Sequence, residues 1–307
     1  MLDQITHLFR LKAIIEEGSL HKAAERLNVS QPALSRSIAQ LEALFGRPLL
    51  ERHARGVRPT LFGRKVLSAS LRLKRHWELA EQELRDDQVG GNIPLRIGAG
   101  PVWRALILPA AMVEIQKTFP RLVVEIYRAH PTKSYEDLTE GRLDVILSGV
   151  GQETQHPRLI GRKLAVVTNH IVAREDHPLF ALAGADGLVP HAALLDYPWL
   201  VYLEYATYRE ATIHAIYERL GRDPDIKLIC DSLNTTIATL QRSDYLAHLP
   251  EPITMAATAP RLVPVPVDLK RRHVNVGMIV REELEHWEPV RALERACVAA
   301  LSRMVWP

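Results

Sequence analysis

Apolar positions along the chain follow two different rhythms. As far as residue 89 they recur every three or four residues, the period of a helix buried along one side. From Ile93 onward short apolar runs alternate with helical stretches, so strand and helix are expected in turn. Leu8, Leu11 and Ile15 stripe a first helix that Gly18 ends, and Leu20, Ala23, Ala24 and Leu27 stripe a second. Asn28-Val29-Ser30 then makes a tight turn. Ser30 is a natural N-cap, because its hydroxyl accepts an orphan N–H of the helix that follows. Pro32 is tolerated in a first turn that needs no intrahelical donor. Leu34, Ile38, Leu41 and Phe45 face inward on this third helix, which leaves Gln31, Pro32, Ser35, Arg36 and Ala39 outside.

Small, hydrogen-bonding residues at the N-terminal end of a helix are what a DNA major groove accommodates, since base edges need close approach and donor–acceptor pairing. A bare helical hairpin with a solvated polar face would look the same, so the neighbours decide. Gly46 to Thr60 reads as a short strand, a basic loop and a return, the shape of a wing. Between Arg52 and Trp77 stand eight Lys or Arg and no Asp or Glu. The net charge of +3 therefore hides an asymmetry: residues 1–77 balance at +8 and the remainder at −5. Basic charge concentrated at the reading motif suits a polyanion surface, whereas a uniformly basic chain would suggest non-specific coating.

Leu61 to about Gln88 reads as one long helix followed by Gly90-Gly91. Val66, Ser70, Leu73, Trp77, Ala80 and Leu84 alternate at spacings of four and three, a heptad seam expected to pair with another helix. A second copy of the chain is the favoured partner, because helix-turn-helix proteins usually read two half-sites about a two-fold axis. Val66, Leu73, Trp77 and Leu84 are thus the expected dimerisation residues.

Beyond the glycines the order is βαβαβ, then a second such unit, which predicts two lobes of parallel sheet joined by crossings near Ala165–Thr168 and Val265–Leu269. Ligands in such sheets sit at the carboxyl ends of strands. Gly100-Pro101-Val102-Trp103 follows the first strand and opens a helix whose N–H groups suit a carboxylate. His130 and Thr132 follow the second strand, Ser148 the third, and Tyr202 and Glu204 a strand of the second lobe. Asn234 and Thr235 open another helix, and His248 ends a last strand. Trp103 with His130, Tyr202 and His248 would favour a flat or aromatic ligand, although alone Trp103 is better explained as core and the histidines as ordinary hydrogen-bonded side chains.

Other chemistries lack their residues. Gly98-Ala99-Gly100 is part of a dinucleotide fingerprint whose third glycine would be Trp103. The chain has no GxxxxGK[ST], HExxH or CxxC, so neither a metal nor a cofactor is expected. Ser148 is no nucleophile elbow, since Ile146 occupies the first glycine position. An α/β domain without a catalytic constellation licenses no activity, and no enzyme is expected. Cys230 and Cys297, 67 positions apart, read as reduced thiols, with a disulfide switch as the alternative. The N-terminus carries Asp3 and no long apolar run, and no stretch approaches the roughly 18 apolar residues of a span, so a cytoplasmic protein is expected.

With these residues in view, the first 65 positions resemble the DNA-binding domain of the LysR-type transcriptional regulators. The resemblance rests on EEGS at 16–19, AAERL at 23–27, VSQPALSRSIAQLE at 29–42, and the exit of the wing through Arg55, Thr60 and Gly63. It implies a winged helix-turn-helix over residues 1–60, a dimerising linker helix over 61–89, and a two-lobed effector domain like a periplasmic binding protein over 93–307. The first lobe would comprise 93–165 and 268–307, and the second 166–267. It further implies Ser30, Gln31, Pro32, Ser35 and Arg36 on the recognition helix, with Arg52, Arg55 and Arg58 as wing and phosphate contacts. Operator DNA, RNA polymerase, a small-molecule effector and a homodimer or homotetramer are the implied partners. Many members carry Ser or Thr where this chain has Gly-Pro-Val-Trp at 100–103, a departure from the usual carboxylate contact.

Overall fold

The computed structural model describes residues 2–53, 56–84, 94–130, 132–151, 158–202, 221–253, 259–268 and 272–303. By its contacts the chain divides into two compact units, Met1–Ile93 with Glu136–Leu143, and Pro94–Tyr135 with Asp144–Pro307.

The first unit begins with α1 (Leu2–Glu17), α2 (Leu20–Leu27) and α3 (Gln31–Phe45). Their starts and stops are set locally. Ser19 and Ser30 are extended, and their hydroxyls accept the N–H groups of Lys22 and Ala33, each at 3.4 Å. Asn28 and Gly46 end α2 and α3 in the left-handed conformation, where an ordinary side chain is disfavoured. Leu11, Ile14, Ala23, Leu34, Ile38, Leu41 and Leu49 form one core with Val66. A two-stranded wing follows, β1 (Leu50–His53) antiparallel to β2 (Gly56–Pro59), with Leu50 opposite Pro59 and His53 opposite Gly56.

The long helix α4 (Leu61–Leu84) is capped by Thr60, whose hydroxyl accepts the N–H of Gly63 at 2.8 Å and donates to the carbonyl of Pro48 at 2.8 Å. A Cβ on Gly63 would lie 2.0 Å from the Leu49 carbonyl oxygen, so the wing can lie against α4 only over a glycine. One expectation is corrected here. Val66 is 7% exposed inside the core of its own unit, so it is spent on the first turns of α4 rather than on a seam. Burial of that side chain stabilises the unit by about 1.5–3 kcal/mol. Further along, Leu73 and Trp77 are 43% and 64% exposed. The side chain of Leu84 lies outside the described residues.

The second unit holds nine described strands in one mixed sheet. In chain order its elements are β3 (Leu95–Ala99), α5 (Leu108–Thr118), β4 (Val124–Arg128), the start of α6 (Lys133–Thr139), whose residues from Glu136 count with the first unit, β5 (Val145–Gly149) and β6 (Leu159–Arg174). Then come β7 (Trp199–Tyr202), β8 (Ile226–Cys230), α7 (Leu233–Leu240), β9 (Leu246–Pro250), β10 (Leu262–Pro264), β11 (Arg272–Arg281) and α8 (Glu288–Arg303). The spatial order is β4-β3-β5-β11-β6-β9-β7-β8, with β10 also on β6. β3 is parallel to β4 and β5, and β7 to β8 and β9. These two parallel sets are the sheets of the two lobes.

Between them run β6 and β11, antiparallel to each other and to their neighbours. The parallel sets expected for the lobes are thus joined in one mixed sheet by two antiparallel strands. The return crossing expected near Val265–Leu269 is made instead by β11, after β10 has paired with β6. A bulge between Val276 and Gly277 breaks their register, and a Cβ on Gly277 would sit 1.9 Å from the Arg162 carbonyl oxygen. At the far end of β11, Arg281 meets the buried Asp144 at 3.4 Å, while Asp144 also accepts the N–H of Arg96 at 3.0 Å. Desolvated charges need such partners.

Candidate functional site

Two constellations carry the candidate chemistry. On the first unit, Gln31, Pro32 and Arg36 are exposed and Ser35 is half-buried at the N-terminal end of α3. Leu34, Ser37, Ile38 and Leu41 face the core. Arg10 donates to the Ser37 hydroxyl at 2.7 Å and ties α1 to the back of α3. Beside the exposed face lies a groove of about 400 Å³ lined by His21, Ala24, Glu25, Asn28, Val29, Ser30 and Gln31. The hydroxyl of Ser30 accepts the cap bond, and both Ser30 and Gln31 are exposed at this end.

The wing supplies cations next to this face. Arg58 is exposed on β2, while Arg55 and the side chain of Arg52 lie outside the described residues. Arg47, which sequence reasoning passed over, follows the cap of α3 with its guanidinium 5.5 Å from the ring centre of Phe62. By contrast Arg26 is committed to Glu16 and Glu17, at 3.0 Å each, and these carboxylates raise its pKa.

On the second unit the carboxyl ends of the parallel strands gather most of the expected residues, but in altered roles. The N–H of Gly100 donates to the Leu147 carbonyl at 2.9 Å, and Pro101 has none to give. The carboxylate cradle expected at 100–103 is thereby reduced. A π-helical turn over Trp103–Ile107 precedes α5, and Trp103 is 4% exposed, a packed side chain. Val102 instead reaches the core of the other lobe, against a cluster that includes Leu200, Leu233, Ala247 and Leu249, which Tyr202 also joins.

His130 is turned to the start of α6, its Nδ1 accepting the N–H groups of Thr132 and Lys133 at 3.4 and 3.3 Å. Ser148 donates to the Gly149 carbonyl at 3.1 Å. Thr235 donates its hydroxyl to that of Ser232 at 3.0 Å in the cap of α7, and Asn234 is exposed beside it. His248 is half-buried within β9, paired with Ile171. Glu204 lies outside the described residues.

Two residues of this end were missed. Arg128 closes β4 and Asp231 follows β8, and Arg128 Nη1 stands 3.4 Å from Asp231 Oδ2. The same strand-end rule that pointed to His130 and Asn234 would have reached them two and three positions earlier. Nearby, Tyr127 donates to Glu125 at 2.9 Å, and that carboxylate raises the phenol pKa. Cys230, next to Asp231 in the chain, is half-buried, and Cys297 is buried in α8, where burial pushes its thiol up to about 12. Among the described residues no group of three or more His, Cys, Asp or Glu is placed to hold a metal ion, and no helix is long and apolar enough to cross a membrane.

Comparison with known proteins identifies the two domains on which these residues lie. Residues 5–64 match the family of bacterial regulatory helix-turn-helix proteins of the lysR family, and residues 90–302 match the LysR substrate binding domain. The transcriptional regulator PcaQ of Agrobacterium fabrum is 25% identical over 96% of this chain and 95% of its own. Among solved structures, ArgP from Mycobacterium tuberculosis superposes with a TM-score of 0.74 at 18% identity, covering 96% of each chain. Full-length CbnR in complex with its target DNA gives 0.60 at 19% identity, over 96% of this chain and 99% of that one. The chain belongs to the LysR family of transcriptional regulators, with a helix-turn-helix DNA-binding domain and a two-lobed effector-binding domain.

Proposed function

We infer that α3 enters the major groove of an operator with Gln31, Pro32 and Ser35 nearest the base edges, and that Arg36, Arg52, Arg55 and Arg58 hold phosphates and set register. The observation that carries this is the Ser30-capped start of α3, which exposes Gln31, Pro32 and Arg36 while its other side is sunk in the core. Functionally the chain is read as winged helix-turn-helix to residue 60, linker to 89 and effector domain from 93. The protein acts in the cytoplasm as a dimer or tetramer joined through Leu73, Trp77 and Leu84, and it works on transcription through RNA polymerase.

A small molecule seated at the strand ends around Val102, Tyr202, Asn234 and Thr235 would bias the two lobes. To do so it must bind their alternative arrangements unequally. The linker helices would pass that bias to the spacing of paired reading heads. Sequencing of genomic fragments bound by the purified full-length protein tests this reading. A shared two-fold site upstream of a few operons is expected, and diffuse binding without a shared site contradicts it.

A further inference from the structure

In the order of the sheet, β4 and β8 are the two ends of the path, seven strand steps apart. In a flat sheet that is about 34 Å at the ordinary strand spacing. Yet Arg128, at the end of β4, and Asp231, just past β8, meet at 3.4 Å. The two edges of the sheet are thus folded toward each other, and the pair bridges the lobes at the ends of parallel strands, where sheets of this kind take ligands. Other ion pairs, such as Arg96–Glu125 between adjacent strands and Arg142–Asp137 within five residues, join close neighbours. On the adjoining strands Ala99 pairs with Arg128 and Tyr202 with Cys230, and Val102, just past β3, and Tyr202 pack on one apolar cluster.

We propose that the effector is a zwitterion with an apolar body, whose anion pairs with Arg128 and whose cation pairs with Asp231 while the body packs against Val102 and Tyr202. This rests on the reading of the strand ends as the effector cleft. An exposed ion pair is weak, so a ligand that parts it loses little. Closure of the lobes then withdraws water from both charges, and each needs a partner. A simple anion would satisfy Arg128 and be repelled by Asp231, a simple cation would meet the reverse, and a neutral molecule would satisfy neither. Only a ligand with both charges replaces what the two side chains now give each other.

Titration calorimetry on the full-length protein tests this with isosteres: the apolar L-amino acids, their deaminated acids and their decarboxylated amines. At least one amino acid is expected to bind ten-fold or more tightly than its own acid and amine. Arg128→Gln and Asp231→Asn, both at exposed sites, should each cost it at least ten-fold, and Val102→Trp should block it. If the acids bind as tightly and Asp231→Asn changes nothing while Val102→Trp still blocks, the cleft stands and the zwitterion is wrong. If binding survives all three substitutions, the cleft reading itself fails and takes the proposal with it. If no amino acid binds, the proposal is overturned.

Discussion

Glu42 of α3 holds the start of the wing: its Oε1 accepts the N–H of Leu49 at 2.7 Å and that of Leu50 at 3.4 Å. One carboxylate thus fixes the angle between the helix that reads bases and the strand that carries the wing cations. Glu42→Ala leaves two backbone donors without their partner, and a loss of about 1–3 kcal/mol in stability is expected. DNA affinity should fall several-fold with it, because the wing is no longer registered to α3. Urea unfolding and fluorescence anisotropy on the same preparation check both, and unchanged affinity would mean that the wing takes no part in binding.

The linker helix makes two separable predictions. Trp77→Asp places a charge on a side chain that is 64% exposed in a single chain, so the fold should survive and the oligomer should dissociate in sedimentation velocity. Val66→Ala should do the opposite, leaving the oligomer and costing the N-terminal unit about 2 kcal/mol through the cavity it creates. A Trp77→Asp protein that still sediments as a dimer would remove α4 from the interface.

On the reading face, Arg36→Ala should weaken binding to every sequence alike and lower the salt slope by about 1. Gln31→Ala should relax preference at one base position, a change of about 1–3 kcal/mol in discrimination. Binding measured against a panel of single-base variants at several salt concentrations separates the two effects. Equal behaviour of the two variants would mean that α3 lies in the groove on another face.

Cys297 gives a pH prediction. Its thiol is raised from its ordinary 9.0 to about 12 by burial, so the folded state binds the proton more tightly than the unfolded one. The group's stabilising effect is complete below about 9 and is lost as pH rises from there toward 12. At neutral pH Cys297 should resist iodoacetamide in the native protein and react once urea unfolds it. Rapid native labelling at Cys297 would contradict its burial.

The N-terminal unit was legible because its signals are local. Ser30, Pro32 and Gly46 mark the ends of α3 wherever the rest of the chain goes, and the inward stripe of Leu34, Ile38 and Leu41 follows from the helical period. Val66 was misread because a heptad spacing names a buried stripe without naming what covers it. β6 runs from Leu159 to Arg174, but Arg162 and Lys163 interrupt its apolar run, which hides its length in the sequence. Its full length is fixed by pairing with β11, a partner far away in the chain. Arg128 and Asp231 were invisible as a pair, since only the bending of the whole sheet brings the two terminal strands together.

The central claim is site-specific reading by α3, and a competition measurement tests it most directly. Full-length protein is titrated at physiological salt onto its footprinted site and onto a random duplex of equal length. The account predicts a preference of about 10³ or more for the site, the range of specific DNA-binding proteins. A preference below about ten-fold, with both affinities falling together as salt rises, is the behaviour of a coating protein and would contradict it.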